Sequence, residues 1–196
     1  MKKKNVVYVA KIGVLSAIAA VIMLLEFPLP FAPSFYKLDL SEIAVLIAGF
    51  GLGPVAGILT ELVKILLNLC INGTDTAMVG EFANFCIGIS FVLPASLLYK
   101  KVKSLKGALI GLVIGTFSLA LAGALLNYYV MLPFYGKVMG MEAIINAGNA
   151  INPNINSLWT FILFATVPFN LVKGVACSVI TTLVYKRVSP ILHKEF

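Results

Sequence analysis

Apolar residues in this chain gather into long runs, separated by short basic, glycine-rich or proline-rich breaks. Val6 to Phe27 is the first run, interrupted only by Lys11 and, at its far end, Glu26. Lys11 can lay its methylene stem along the helix and carry its charge to the near interface, so the run predicts a spanning first helix. A basic start before an apolar stretch also describes a signal peptide. No cleavage signature follows, however, and the run passes straight into Glu26-Phe27-Pro28-Leu29-Pro30, so a retained helix is expected. Pro28, Pro30 and Pro33 among aromatics then forbid regular helix from Phe27 to Leu38 and favour a stiff, extended loop.

Asp39 followed by Glu42 resembles a capping box, and an apolar second helix is expected from Leu40 to Phe50. That helix is short for a span. Gly49, Gly51 and Gly53 before Pro54 predict a tight turn with Pro54 as the first residue of a third helix, running to about Ile71. A fourth helix is expected from about Met78 to Tyr99. A fifth apolar run covers Gly107 to Leu132 and is expected to close at Pro133. Phe134 to Asn156 is mixed and Asn-rich, with a short helix expected around Met141 to Ala147. The sixth long helix runs from about Ser157 to Val188, interrupted by Pro168.

Composition turns this pattern into a class. Hydrophobic residues make up 60% of the 196 and charged residues 12%, about half the charged share usual in soluble domains. At roughly 20 residues per span, about six spans fit. The expectation is therefore one all-α membrane domain over residues 1–196: six transmembrane helices in a compact bundle with no separate soluble part.

The net charge of +7 does not point to nucleic acid, because the basic residues sit in short clusters at residues 2–11, 100–106 and 186–194, beside apolar runs. All three clusters fall on one side only if the short second helix crosses. The positive-inside rule then places the N- and C-termini in the cytoplasm, and the Pro-rich loop, the Asn72–Met78 loop and Phe134–Asn156 outside. Cys70, Cys86 and Cys177 lie in apolar runs with no metal-ligand spacing to one another or to His193, so no metal or cofactor is expected.

Ionisable residues inside apolar runs are costly and must face a cavity, a ligand or each other. The stretch from Asp39 to Asn84 places Glu61, Lys64 and Asn68 in such a position. Lys173 is the most telling residue, near mid-membrane and one turn from Asn170 on the same face. It needs a polar partner, either a ligand or a carboxylate such as Glu61, although Glu61 is also placed to pair with Lys64 in its own helix. Asn127, Glu81 and Asn84 lie toward the outer ends of their helices and are individually unspecific. Together these groups can converge on an outward-facing cavity with the aromatic loop as a lid. The capping reading accounts for Asp39. In the first helix, Gly13/Ala17 and Ser16/Ala20 form small-xxx-small pairs that permit close helix approach, inside the bundle or against a partner. No phosphate-binding GxxxxGK[ST] loop occurs, and no HExxH or GxSxG, which argues against an ATPase or an enzyme.

Glu26-Phe-Pro-Leu-Pro-Phe, Leu38-Asp39-Leu-Ser-Glu-Ile, Ile47-Ala-Gly-Phe-Gly-Leu-Gly-Pro54, Glu61-Leu-Val-Lys64, Gly80-Glu81-Phe-Ala-Asn84 and Pro168-Phe-Asn170-Leu-Val-Lys173-Gly174 together resemble the riboflavin-specific S component of energy-coupling factor (ECF) vitamin transporters. The likeness spans nearly the whole chain. It implies a multi-pass cell-membrane protein that takes riboflavin from outside and works with a transmembrane coupling subunit and two cytoplasmic ATPases. It also implies that Asn170 and Lys173 hydrogen-bond the polar edge of the isoalloxazine ring. Asn127 and the segment Leu38, Asp39 and Leu40 would hold ring and ribityl chain, with Lys64, Glu81 and Asn84 as further candidates. Gly13, Ser16, Ala17 and Ala20 would dock on the coupling subunit, in place of the family's stricter Ala-xxx-Ala surface. Other readings are an S component for another vitamin, a small secondary carrier, for which no internal repeat is evident, or a membrane enzyme using Glu61, Lys64, Glu81 and Lys173. No basic cluster faces outward, so riboflavin is expected to bind better than FMN.

Overall fold

A computed structural model describes residues 3–192; Lys2 of the first basic cluster and residues 193–194 of the last, His193 included, lie outside the described residues. Helix α1 (Lys3–Met23) leads into a two-residue hairpin, β1 (Phe27–Pro28) paired antiparallel with β2 (Lys37–Leu38). Then follow α2 (Glu42–Leu52), α3 (Pro54–Asn72), α4 (Val79–Lys101) and α5 (Leu105–Leu126). Beyond α5 the chain remains helical through α6 (Leu132–Tyr135) and α7 (Met141–Asn149), and after a loop it re-enters as α8 (Leu158–Phe161) and α9 (Val167–Leu192). Among the described residues, five helical runs are long and apolar enough to cross a membrane: Asn5–Met23, Pro54–Asn72, Val79–Lys101, Leu105–Asn149 and Leu158–Val188. The short apolar helix Glu42–Leu52 is the sixth element of the bundle.

α2 is buried on every side from Glu42 to Phe50. At 1.5 Å per residue it is about 16 Å long, half of a hydrocarbon core of about 30 Å. Its far end packs Phe50 against Tyr99 at 4.8 Å and Tyr185 at 5.6 Å between ring centroids. Those tyrosines neighbour Lys100 and Lys186 at one end of the bundle, the basic end. The non-helical Leu38–Ser41 segment leads into α2 from the hairpin. Gly53, with φ of 102°, turns the chain, and Pro54 opens α3 where no backbone donor is needed.

The two expected proline breaks do not break their helices. A π-helical segment, Asn127–Met131, precedes Pro133, and another, Ile162–Thr166, precedes Pro168. The wider i→i+5 turn takes up the lost proton donor and the bulk of the ring, so the helix runs on. The fifth run therefore does not close at Pro133 but continues to Asn149, with a third π segment at Gly136–Gly140. The second helix starts at Glu42 rather than Leu40, because Asp39 holds Ser41 in a turn: its Oδ1 accepts from the Ser41 amide at 3.0 Å and from the Ser41 hydroxyl.

Candidate functional site

Opposite the basic end, a cavity of about 210 Å³ lies beneath the hairpin loop. It is walled by Met23 and Glu26 from the end of α1, by Tyr36, Lys37 and Asp39 from the loop, by Ala83, Asn84 and Ile87 from α4, by Asn127 and Met131 beyond α5, and by Phe169, Asn170 and Lys173 from α9. Asp39, Asn84, Asn127, Asn170 and Lys173, five of the residues singled out from the sequence, thus share one wall system. Leu38 is buried with Ala32 and Phe169, and Leu40 packs against that cluster; they hold the loop rather than line the cavity.

Lys173 does not pair with Glu61. Its Nζ donates to Asp39 Oδ2 at 2.8 Å, with both side chains largely buried. The capping box read from Asp39 and Glu42 is thereby corrected. Asp39 spends one oxygen on the Ser41 turn and the other on Lys173, while Glu42, instead of reaching back to the cap, accepts from Lys64 at 2.8 Å. Lys64 also lies 2.7 Å from Glu61 one turn earlier on α3, as expected, and all three side chains are fully buried. This triad is outside the cavity lining, so Lys64 supports the site from behind. Gly88 of α4 makes room for it: a Cβ there would sit 2.7 Å from the Glu61 carboxyl carbon.

The two asparagines are oriented by backbone carbonyls. Asn127 Nδ2 donates to Gly123 O at 2.8 Å, and Asn170 Nδ2 donates to Thr166 O at 2.9 Å. Both bonds run four residues back; Asn127 is the first residue of one π segment, and Asn170 bonds back to Thr166, the last residue of the other. Gly123 is required here for close approach, since a Cβ on it would lie 2.6 Å from Asn170 Nδ2.

Tyr36 closes the top. Its hydroxyl donates to Asn127 Oδ1 at 2.8 Å, and because a phenol has one proton, the Thr166 hydroxyl at 2.8 Å must donate to it. Burial pushes the Tyr36 phenol well above the usual tyrosine range, against the lowering effect of the Thr166 bond, so it stays a donor. Its ring packs against Phe35 at 5.2 Å and Phe169 at 5.2 Å, and Phe35 stacks on Phe161 at 6.2 Å. At the rim, Lys37 donates to Glu26 at 2.5 Å, which raises the lysine pKa. Tyr36 and Thr166 had no signal in the sequence beyond the aromatic character of the loop.

Glu81, by contrast, accepts from Thr76 at 2.9 Å in the loop before α4 and is not among the lining residues. In α1, Ser16 and Ala20 face inward, Ser16 bonding to Ile12 O at 2.9 Å, whereas Gly13 and Ala17 are on the exposed face. Chemically, the cavity offers amides, an ammonium and a carboxylate against aromatic and aliphatic walls. Such a lining suits hydrogen bonding and contact, and no group of three or more His, Cys, Asp or Glu able to hold a metal occurs among the described residues.

A family model described as the substrate-specific component of ECF transporters matches residues 7–185. The riboflavin transporter RibU of Staphylococcus aureus is 39% identical over 183 residues, covering 93% of this chain and 90% of the relative. The riboflavin transporter FmnP of Bacillus subtilis is 34% identical over 196 residues, covering 100% and 97%. A solved S component of a bacterial ECF transporter is 36% identical and superimposes with a TM-score of 0.75 over 98% of this chain and all of the other.

Proposed function

Because this chain belongs to the substrate-specific components of the ECF transporters, we propose that it captures riboflavin from outside the cell and passes it inward with a coupling subunit and two ATPases. The observation that carries this is the convergence of Asn127, Asn170 and Lys173 on one cavity at the end of the bundle away from the basic clusters, in a chain whose relatives are riboflavin transporters. An isoalloxazine edge presents two carbonyl acceptors around an imide donor. Lys173 donates one proton to Asp39 and retains two, and Asn170 keeps its side-chain oxygen as an acceptor. The dimethylbenzene end meets Met23, Ile87 and Met131. Asn84 is placed for the ribityl hydroxyls. At about 210 Å³ the cavity is smaller than the roughly 300 Å³ at which ligand pockets begin. Riboflavin therefore enters with displacement of Tyr36, freeing Asn127.

The same reading makes α2 with Leu38–Ser41 a composite sixth crossing in the cell membrane. The Phe50–Tyr99–Tyr185 cluster supports it by tying the far end of α2 to the basic end. Both termini then face the cytoplasm, as the lysine distribution requires. Gly13 and Ala17, on the exposed face of α1, are the docking candidates for the coupling subunit.

The two lysines of the lining are already matched, Lys37 with Glu26 and Lys173 with Asp39. A phosphate finds no spare cation, so riboflavin is preferred over FMN. A fluorescence titration of the purified chain tests the proposal: saturable quenching of riboflavin, with FMN a weaker competitor, is expected. No quenching would overturn the ligand, and equal competition would overturn the preference.

A further inference from the structure

At the basic end, away from the Asp39–Lys173 pair, a second cavity of about 350 Å³ opens between α2, α4, α5 and α9. Phe50, Tyr99 and Tyr185 form its floor, with ring centroids 4.8, 5.6 and 5.6 Å apart, and Lys103 and Lys186 stand at its edge. Both lysines are exposed, and neither forms an ion pair with another described residue. The N-terminus of α5 abuts the cavity through Ser104, whose hydroxyl accepts from the Gly107 amide at 3.1 Å, and its dipole adds to the positive potential.

A groove of about 480 Å³ runs from this cavity along the seam between α5 and α9, the two sharing Thr182. Its walls are aliphatic and aromatic, among them Leu112, Val113, Phe117, Val175 and Val179. Two of its hydroxyls are consumed inside their own helices: Thr116 donates to Leu112 O and Thr182 to Ser178 O, each at 2.8 Å. The groove therefore presents a hydrocarbon surface to an occupant, while the cavity at its head presents two ammonium groups over a bed of rings.

We propose that cavity and groove together bind one anionic phospholipid, its phosphate between Lys103 and Lys186 and an acyl chain along the α5–α9 seam. Basic pockets between transmembrane helices at the cytoplasmic side suit anionic head groups. The continuity of charge and hydrocarbon favours a lipid over a free anion, which would use the cavity alone. Charge complementarity favours an anionic head over a zwitterionic one, whose own cation would meet the two lysines.

The test is mass spectrometry of the intact chain released from micelles holding equal amounts of phosphatidylglycerol and phosphatidylcholine. Preferential retention of one phosphatidylglycerol is expected. Each lysine near a membrane surface contributes roughly a factor of five in binding, so Lys103→Gln/Lys186→Gln should lower that retention by about 25-fold with an unchanged unfolding temperature. Val179→Trp, which fills the groove, should lower retention of the lipid but leave any binding of glycerol phosphate unaltered. Equal retention of the two lipids, or an undiminished preference in the double-lysine variant, would overturn the proposal. Displacement of the lipid by inorganic phosphate at equal concentration would also overturn it, making the cavity a site for free phosphate. Should either variant fail to fold, Lys103→Arg/Lys186→Arg must keep the preference, and its loss there would count against the assignment.

Discussion

Lys173 and Asp39 lie 134 positions apart in the chain and 2.8 Å apart in space. Their bond ties α9 to the segment that feeds α2, and both residues face the cavity. A buried charge whose partner is removed costs about 3–5 kcal/mol, whereas a pair replaced as a whole by apolar groups costs little. Lys173→Met should therefore destabilise the protein strongly, and Asp39→Leu/Lys173→Met should recover most of that loss. Neither variant should bind riboflavin. Thermal unfolding and fluorescence quenching, measured together, separate the two roles, and a double variant that regained both stability and binding would reduce Lys173 to a structural ion.

The triad behind the cavity follows a different balance. Glu42 and Glu61 supply two carboxylates to the single ammonium of Lys64, so an amide in place of one carboxylate removes an excess negative charge. Glu61→Gln is expected to change stability by less than about 1 kcal/mol, while Lys64→Met, which leaves two buried carboxylates unpaired, should cost about 3–5 kcal/mol or more. Thermal unfolding of the two variants side by side checks the order, and a more damaging Glu61→Gln would refute it.

Much of this framework was legible from the chain. Pro54 marks the start of α3, Lys173 and Asn170 share a face, and Glu61 pairs with Lys64, because each rests on spacing within one helix. What depended on contacts between distant segments was not legible. The Asp39 and Glu42 pattern fits a cap, yet Asp39 divides its oxygens between the Ser41 turn and Lys173, and Glu42 is taken by Lys64, both lysines coming from other helices. Pro133 and Pro168 read as breaks because a π turn leaves no local signature. The small-residue pairs of α1 differ in facing, Ser16 and Ala20 inward and Gly13 and Ala17 outward, which spacing alone does not decide.

Gly123 lies under both asparagines, accepting from Asn127 and touching Asn170. A methyl group at this position forces the Asn170 amide to move. Overpacking of this kind costs typically 1–3 kcal/mol, and here it falls on the orientation of a proposed ligand contact. Gly123→Ala should weaken riboflavin binding by about ten-fold or more while unfolding within a few degrees of the parent, read by titration and thermal denaturation. Unchanged affinity would show that Asn170 does not need its present orientation.

Tyr36 occupies Asn127, so it competes with any ligand for that amide. Tyr36→Phe keeps the ring contacts with Phe35 and Phe169 and removes both hydrogen bonds of the hydroxyl, to Asn127 and from Thr166, each worth about 0.5–1.5 kcal/mol. Riboflavin affinity should rise by roughly five- to a hundred-fold, mainly through faster association in stopped-flow quenching. A fall in affinity would mean that the hydroxyl holds the ligand rather than the empty lid.

The most direct measurement is the visible absorption spectrum of the detergent-purified protein from cells grown with riboflavin, set beside an Asn127→Ala/Asn170→Ala variant that retains its helical circular dichroism. A flavin spectrum in the parent that is absent from the folded variant is the predicted result. A parent protein that is colourless and fails to take up added riboflavin, or a variant that carries as much flavin as the parent, would contradict the account.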